Sequence, residues 1–164
     1  VKYERELYMP SGWGDADGDC VDTRHEVLIE ESLVEVRMSP DGCRVEAGKW
    51  VGPYTGETFT DPDELHVDHF VPLAEAHRSG AYRWPSRKKR SFANDMSNPD
   101  ALVAVEAGAN MSKSDRDPAQ WLPERRGYRC EYVRTWIEVK REWHLSADQA
   151  ERRALSHMLG RCGS

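Results

Sequence analysis

The sequence predicts an α+β fold in a single domain, 1–164, and three observations lead there. Two short apolar stretches, residues 66–73 and 101–105, have the length and β-branched content of buried strands. The last third instead places Tyr132, Trp136, Val139 and Trp143 at helical spacing. The chain has 164 residues with no internal repeat and no linker-like run, enough for one core. Hydrophobic content of 38% beside 32% charge, with six Trp, fits a globular chain rather than a disordered one. No apolar run approaches the ~20 residues that cross a bilayer, so no membrane partner is expected.

Taken in order, residues 1–19 are polar and Gly-rich and read as loop. Asp22 is a good N-cap for a helix over residues 23–32. Alternation over 34–37 and 43–46, around the turn signal Pro40-Asp41-Gly42, predicts a hairpin. Residues 49–60 suit irregular strand and turn with Trp50 and Tyr54 packed. After the first apolar strand come two short helices, 74–78 ending at Gly80 and 86–94 following Pro85, with Phe92 as apolar anchor. Asn98-Pro99-Asp100 turns into the second strand, and residues 106–115 suit a short helix. The aromatic stripe from Tyr132 reads as core rather than as a base-stacking platform. Ser146-Ala147-Asp148-Gln149 reads as a capping box, and Ala147, Ala150, Ala154, Leu155 and Met158 give the next helix one apolar face. These last two helices are expected to form a hairpin against the sheet.

Cys20, Cys43, Cys130 and Cys162 contain no Cys-x-x-Cys pair, which disfavours a zinc site. Three pairings are open. Cys20–Cys43 and Cys130–Cys162 are expected because each brackets one local unit; two bridges imply an oxidising compartment. With Val1-Lys2-Tyr3-Glu4-Arg5 at the start and no signal peptide in view, a mature secreted chain is the expectation, and a cytosolic chain with four thiols the alternative. The formal net charge is −6 but uneven: residues 1–66 hold 16 acids and 6 bases, and residues 67–164 hold 13 acids and 17 bases. From Ala76 to Asn94 there are six bases and no acid.

The first strand carries His66, Asp68 and His69, polar groups that are costly to bury without partners. Alternation puts His66 and Asp68 on one face and His69 on the other. Asp68 offers a carboxylate and Asn110 a neutral carbonyl oxygen, a pair that suits a hard cation such as Mg²⁺. His69, with an ordinary pKa of about 6.5, suits a general base near neutrality. Asp15, Asp17, Asp19 and Glu26 fall at calcium-loop spacing, but Cys20 stands where such a loop needs Gly, which argues against Ca²⁺ there. Arg24 suits a phosphate contact or an internal salt bridge equally.

The phrases Asp68-His69-Phe70-Val71-Pro72-Leu73 and Asn110-Met111-Ser112-Lys113-Ser114-Asp115, with the strand from Asn98 between them, resemble the ββα-metal, or HNH, nuclease motif in its Asp-His…Asn…Asn variant. The chain as a whole is similar to small secreted actinobacterial HNH nucleases related to the nuclease half of the GmrSD restriction enzymes. The motif core spans about 64–123. The resemblance implies a one-metal phosphodiesterase using Mg²⁺ or Mn²⁺, with Asp68 and Asn110 as ligands, His66 as possible support and His69 as base. By the same resemblance Asn98 orients the base, with Asn94 as fallback. The expected partner is DNA, double-stranded or single-stranded, held by Arg83, Arg87, Lys88, Lys89 and Arg90, with Lys113 or Arg116 on a phosphate; no protein partner is expected. Two rival readings stand beside it: a catalytically silent nucleic-acid-binding module, and a hydrolase of a non-polymer phosphodiester.

Overall fold

The computed structural model describes residues 1–163, and its architecture is α+β, as expected. Helix α1 (Thr23–Glu31) starts where the Asp22 side chain accepts from the His25 amide at 3.0 Å, the predicted N-cap. Strands β1 (Arg37–Met38) and β2 (Val45–Ala47) form the expected hairpin, though pairing begins only at Arg37. Val34 is 50% exposed, so no core draws the earlier residues into a strand. Strands β3 (Trp50–Val51) and β4 (Thr58–Phe59) pair around a loop that buries Tyr54.

The centre of the fold is β5 (Leu65–His69) antiparallel to β6 (Leu102–Glu106), in register from Leu65↔Glu106 to His69↔Leu102. Between them run α2 (Leu73–Arg78) and α3 (Ser86–Ala93), and α4 (Ala107–Lys113) follows β6 directly. Leu65, Val67, Leu102 and Ala104 share one face of this strand pair and pack with Val27 and Leu28 of α1 and with Trp50. His66 and Asp68 fall on the other face, as alternation requires.

Helices α5 (Arg129–Glu142) and α6 (Gln149–Arg161) form the C-terminal hairpin. Tyr132, Trp136 and Val139 are buried with Phe70, Val71 and Leu73, the core role expected of them. The helix α6 cap differs from expectation. Asp148, not Ser146, accepts the Glu151 amide at 2.8 Å, while Ser146 Oγ donates to the Ser79 carbonyl. The inward face of α6 is also more polar than predicted: Ala150 is exposed and Glu151 is buried. The Lys140 ammonium accounts for this. It donates to Glu75, Ser79, Glu151 and the Ser146 carbonyl, joining α2, α5 and α6 through one satisfied charge network.

The disulfides Cys20–Cys43 and Cys130–Cys162 pair as expected. The first ties the start of α1 to the β1–β2 hairpin, and the second ties the start of α5 to the end of α6. Closing loops of 23 and 32 residues contributes about 3–4 kcal/mol each on the chain-entropy account. Among the described residues no helix is long and apolar enough to cross a membrane.

One contact pins α1 to the central strands: the Ala104 amide donates to Glu31 Oε2 at 2.8 Å. Burial pushes the Glu31 carboxyl up to about 7, against the pull of that hydrogen bond. A carboxyl raised on folding favours the fold most when protonated, so its contribution is full below its ordinary value and lost as pH rises through about 7. Melting temperature should therefore fall across that window, and Glu31→Gln should flatten the fall and melt above the parent at pH 8. A Gln variant with the parent's pH profile would assign the slope to another group.

Candidate active site

A cleft of about 330 Å³ opens over the end of β5, lined by Arg5, Trp13, Arg24, His66, Asp68, His69, Asn110 and Ser114. Asp68 is 6% exposed and Lys113 is 0% exposed. Lys113 Nζ lies 2.5 Å from Asp68 Oδ2 and 2.6 Å from the Phe70 carbonyl, with the His69 carbonyl at 3.3 Å and Tyr54 Oη at 3.5 Å. Every one of these neighbours can accept, so the nitrogen uses all three N–H groups of an ammonium. Tyr54 also donates its hydroxyl to Asp68 Oδ2, at 2.6 Å. Burial pushes the Asp68 carboxyl up and the Lys113 ammonium down; their mutual attraction opposes both shifts. The outcome is directional. Oδ2 is saturated by two donors on the protein side, and Oδ1 is the oxygen left to receive a ligand.

Tyr54 is positioned in turn by β6. Glu106 accepts from the amides of Tyr54 and Thr55 and from the Thr55 hydroxyl. Its carboxylate passes so close to Gly52 that a Cβ there would sit 1.7 Å from Oε1, so a side chain at this position would push Glu106 off the Tyr54 and Thr55 amides.

His69 is 7% exposed and faces away from Asp68, toward the end of α3. Its Nε2 lies 2.8 Å from the Ala93 carbonyl, one of the helix-terminal carbonyls that have no intrahelical partner. A carbonyl only accepts, so Nε2 carries the proton and the neutral ring keeps its lone pair on Nδ1. The Trp13 indole stacks on the ring with centroids 5.0 Å apart and planes 15° from parallel. Burial pushes the imidazole down to about 4, against the Ala93 hydrogen bond, so the ring is neutral at pH 7. On α4, Asn110 Nδ2 donates to His66 Nδ1 at 3.1 Å, which turns the amide oxygen away from His66. Asp68 Oδ1 and the Asn110 carbonyl oxygen are hard donors on one cleft wall, a set that fits a small divalent cation with open positions for water and phosphate.

Other expected site residues stand elsewhere. Asn98 donates to Glu142 Oε2 at 2.8 Å and lines a different cavity, so it does not orient His69. Asn94 follows Ala93 but does not itself meet His69: its Oδ1 accepts from the Gly14 amide and the Thr23 hydroxyl, and its Nδ2 donates to the Arg90 carbonyl. Lys113 is an internal partner of Asp68 and offers nothing to a phosphate at the surface. Lys89 is likewise buried, donating to the carbonyls of Tyr82 and Trp84, because α3 packs its inner face on that turn. Lys88 lies over Trp84 and Arg83 over Tyr82, while Arg87 and Arg90 border an open groove beside Asn94. Arg116 is exposed and donates to the Ser112 carbonyl. Arg24, by contrast, does line the cleft, with its guanidinium donating to the carbonyls of Pro62 and Leu65 and bracing the start of β5. Asp15, Asp17 and Asp19 gather their oxygens within 4.8 Å but serve as acceptors for turn amides from Gly18 to Val21. The sequence reading did not find Tyr54 as a partner of Asp68, nor Arg5 and Trp13 as cleft residues.

Lys113→Met removes a cation of similar length and leaves Asp68 buried with Tyr54 alone. Breaking a buried pair this way costs about 3–5 kcal/mol, so the expected result is a large drop in melting temperature, while Lys88→Met at the surface changes little. A Lys113→Met protein with the parent's melting temperature would contradict the buried ion pair.

The comparisons with known proteins bear on this cleft. Residues 41–158 match the family described as GmrSD restriction endonucleases, C-terminal domain. A relative from Arthroderma benhamiae described as an uncharacterized secreted protein is 40% identical over 151 residues, 92% of this chain and 72% of the relative. No solved structure matches the chain. The match spans most of the chain and takes in Asp68, His69, Asn110 and Lys113, and it places this protein in the family of GmrSD restriction endonuclease C-terminal domains.

Proposed function

We propose that this chain is a secreted, divalent-cation-dependent HNH endonuclease that hydrolyses DNA phosphodiester bonds with His69 as general base. One observation carries the reading: around a single cleft, His69 holds a free Nδ1 lone pair while Asp68 and Asn110 leave one hard oxygen each. The family supports nuclease chemistry. The two disulfides and the description of the fungal relative support an extracellular setting.

Hydrolysis needs a nucleophilic water, relief of charge on the phosphate and help for the departing 3′-oxygen. A hard cation such as Mg²⁺ or Mn²⁺, bound by Asp68 and Asn110, would supply the last two. His69 supplies the first. Its Nδ1 takes a proton from water as the oxygen bonds to phosphorus, and the Ala93 carbonyl stabilises the imidazolium that forms. Because Nε2–H is already engaged, the ring keeps its tautomer and orientation through the step. His66 acts on the wall by orienting Asn110. Arg87 and Arg90 line a groove that leads past Asn94, where they can meet backbone phosphates beyond the cleft. Such contacts hold any sequence alike, so cutting should be broadly sequence-tolerant.

The test pairs supercoiled-plasmid nicking with metal titration by calorimetry. Asp68→Ala should lose both cleavage and metal affinity. His69→Ala should lose cleavage, by at least the 10²-fold typical of a general base, yet bind metal like the parent. Full activity in His69→Ala, or parental metal affinity in Asp68→Ala, would remove the mechanism. A parent that cleaves an RNA duplex but not plasmid would redirect the substrate.

A further inference from the structure

The cleft is not built from the central strands and α4 alone, because two of its lining residues, Arg5 and Trp13, come from the N-terminal segment. Both precede residues 41–158, the part matched to the family. We propose, on the basis of the nuclease reading above, that residues 3–14 are a working part of the active site: Arg5 binds the scissile phosphate and Trp13 positions His69.

The segment is fixed at both ends. Tyr8 and Met9 are buried in the main core. The Tyr8 hydroxyl donates to His77 Nδ1 at 2.8 Å, and His77 Nε2 donates to the Val1 carbonyl at 3.0 Å. At the far end the Gly14 amide donates to Asn94 Oδ1 at 2.9 Å, and the Thr23 amide and hydroxyl donate back to the Gly14 carbonyl. Gly14 has little room: a Cβ there would lie 3.2 Å from Asn94 Oδ1. Trp13 is thereby set on the outer face of the His69 ring while the Ala93 carbonyl holds its Nε2 edge. The ring is fixed in plane and in rotation by two independent contacts, one of them adjacent to Asn94. Asn94 therefore couples the indole and the carbonyl, since it follows one and anchors the residue after the other.

Arg5 lies in a one-turn 3₁₀ helix between these anchors and is exposed into the cleft. Among the described residues no carboxylate lies within ion-pair reach of its guanidinium. The Tyr3 hydroxyl is its hydrogen-bond neighbour, which leaves the charge without a counter-ion. A cation so placed, lining one cleft with a carboxylate that has a free oxygen, a base and an amide oxygen, complements a phosphodiester spanning them. Its fork matches two phosphate oxygens, and its charge opposes the charge that builds as water attacks.

The experiment uses the full-length chain, a labelled DNA duplex and Mg²⁺, with kcat and KM measured for the parent, Arg5→Ala, Arg5→Lys, Trp13→Ala, Trp13→Phe and the charge-matched control Arg37→Ala. Arg5→Ala should lower kcat/KM about ten- to a hundredfold, the scale of one charge-assisted hydrogen bond, with parental melting temperature. Arg5→Lys should recover part of the loss. Trp13→Ala should lower kcat with little change in KM, and Trp13→Phe should recover most of it by restoring a stacked ring. Arg37→Ala, a surface residue outside the cleft, should cut like the parent. If the parent cuts and both Arg5→Ala and Trp13→Ala cut within twofold of it, the segment is only a cover and this inference falls while the nuclease reading stands. If the parent itself does not cut, the nuclease reading falls and takes this inference with it.

Discussion

The ion pair between Lys113 and Asp68 is the interaction on which the rest of the site depends. An ammonium and a carboxylate this deep are costly to desolvate, and the pair is supported by further bonds to the Tyr54 hydroxyl and to the carbonyls of His69 and Phe70. Lys113 also holds the carbonyls of His69 and Phe70, so one side chain from α4 fixes both the carboxylate and the backbone where β5 ends. Well-packed apolar residues in place of such a buried pair are often as stabilising or more so. What the pair supplies instead is direction: one Asp68 oxygen is closed and the other faces the cleft.

The surrounding architecture serves the same end by a chain of short contacts. Glu106 at the end of β6 holds the loop after Gly52; that loop delivers Tyr54, and Tyr54 closes Asp68 Oδ2. On the opposite face of β5, α3 ends where its last carbonyl meets His69. Strand alternation sends Asp68 and His69 to different partners, and the end of the strand brings them back to one opening. The Lys140 network and the Cys130–Cys162 bridge keep the C-terminal hairpin packed behind Phe70 and Val71, away from the chemistry.

Much of this was legible in the sequence because it rests on local pattern. The strands around Asp68 and Val103, the helix carrying Asn110, the Asp22 cap and the aromatic stripe of α5 all follow from periodicity and capping. The cysteine pairs follow from bracketing. Lys113 was misread as a surface cation, although its signal was present: it lies three residues after Asn110, one helical turn along a face that must pack on β5. Asn98 and Asn94 lie four residues apart, and only the path of the chain gives Asn94 to Gly14, the residue after Trp13, and Asn98 to Glu142. Arg5, Tyr8 and Trp13 sit in a stretch with loop composition. Tyr8 and Trp13 are set by partners more than 50 residues away, Arg5 is carried between them, and no local pattern encodes such contacts.

The central claim is that the wall of β5 and α4 presents Asp68 Oδ1 and Asn110 to a cation and leaves His69 free to act as base. Anomalous diffraction from crystals soaked in Mn²⁺ tests it directly. The account predicts one strong peak at bonding distance from Asp68 Oδ1 and the Asn110 amide oxygen, with His69 Nδ1 outside the coordination shell. A peak coordinated by His69 Nδ1, or a peak only at Asp15, Asp17 and Asp19 with none at Asp68, would contradict it.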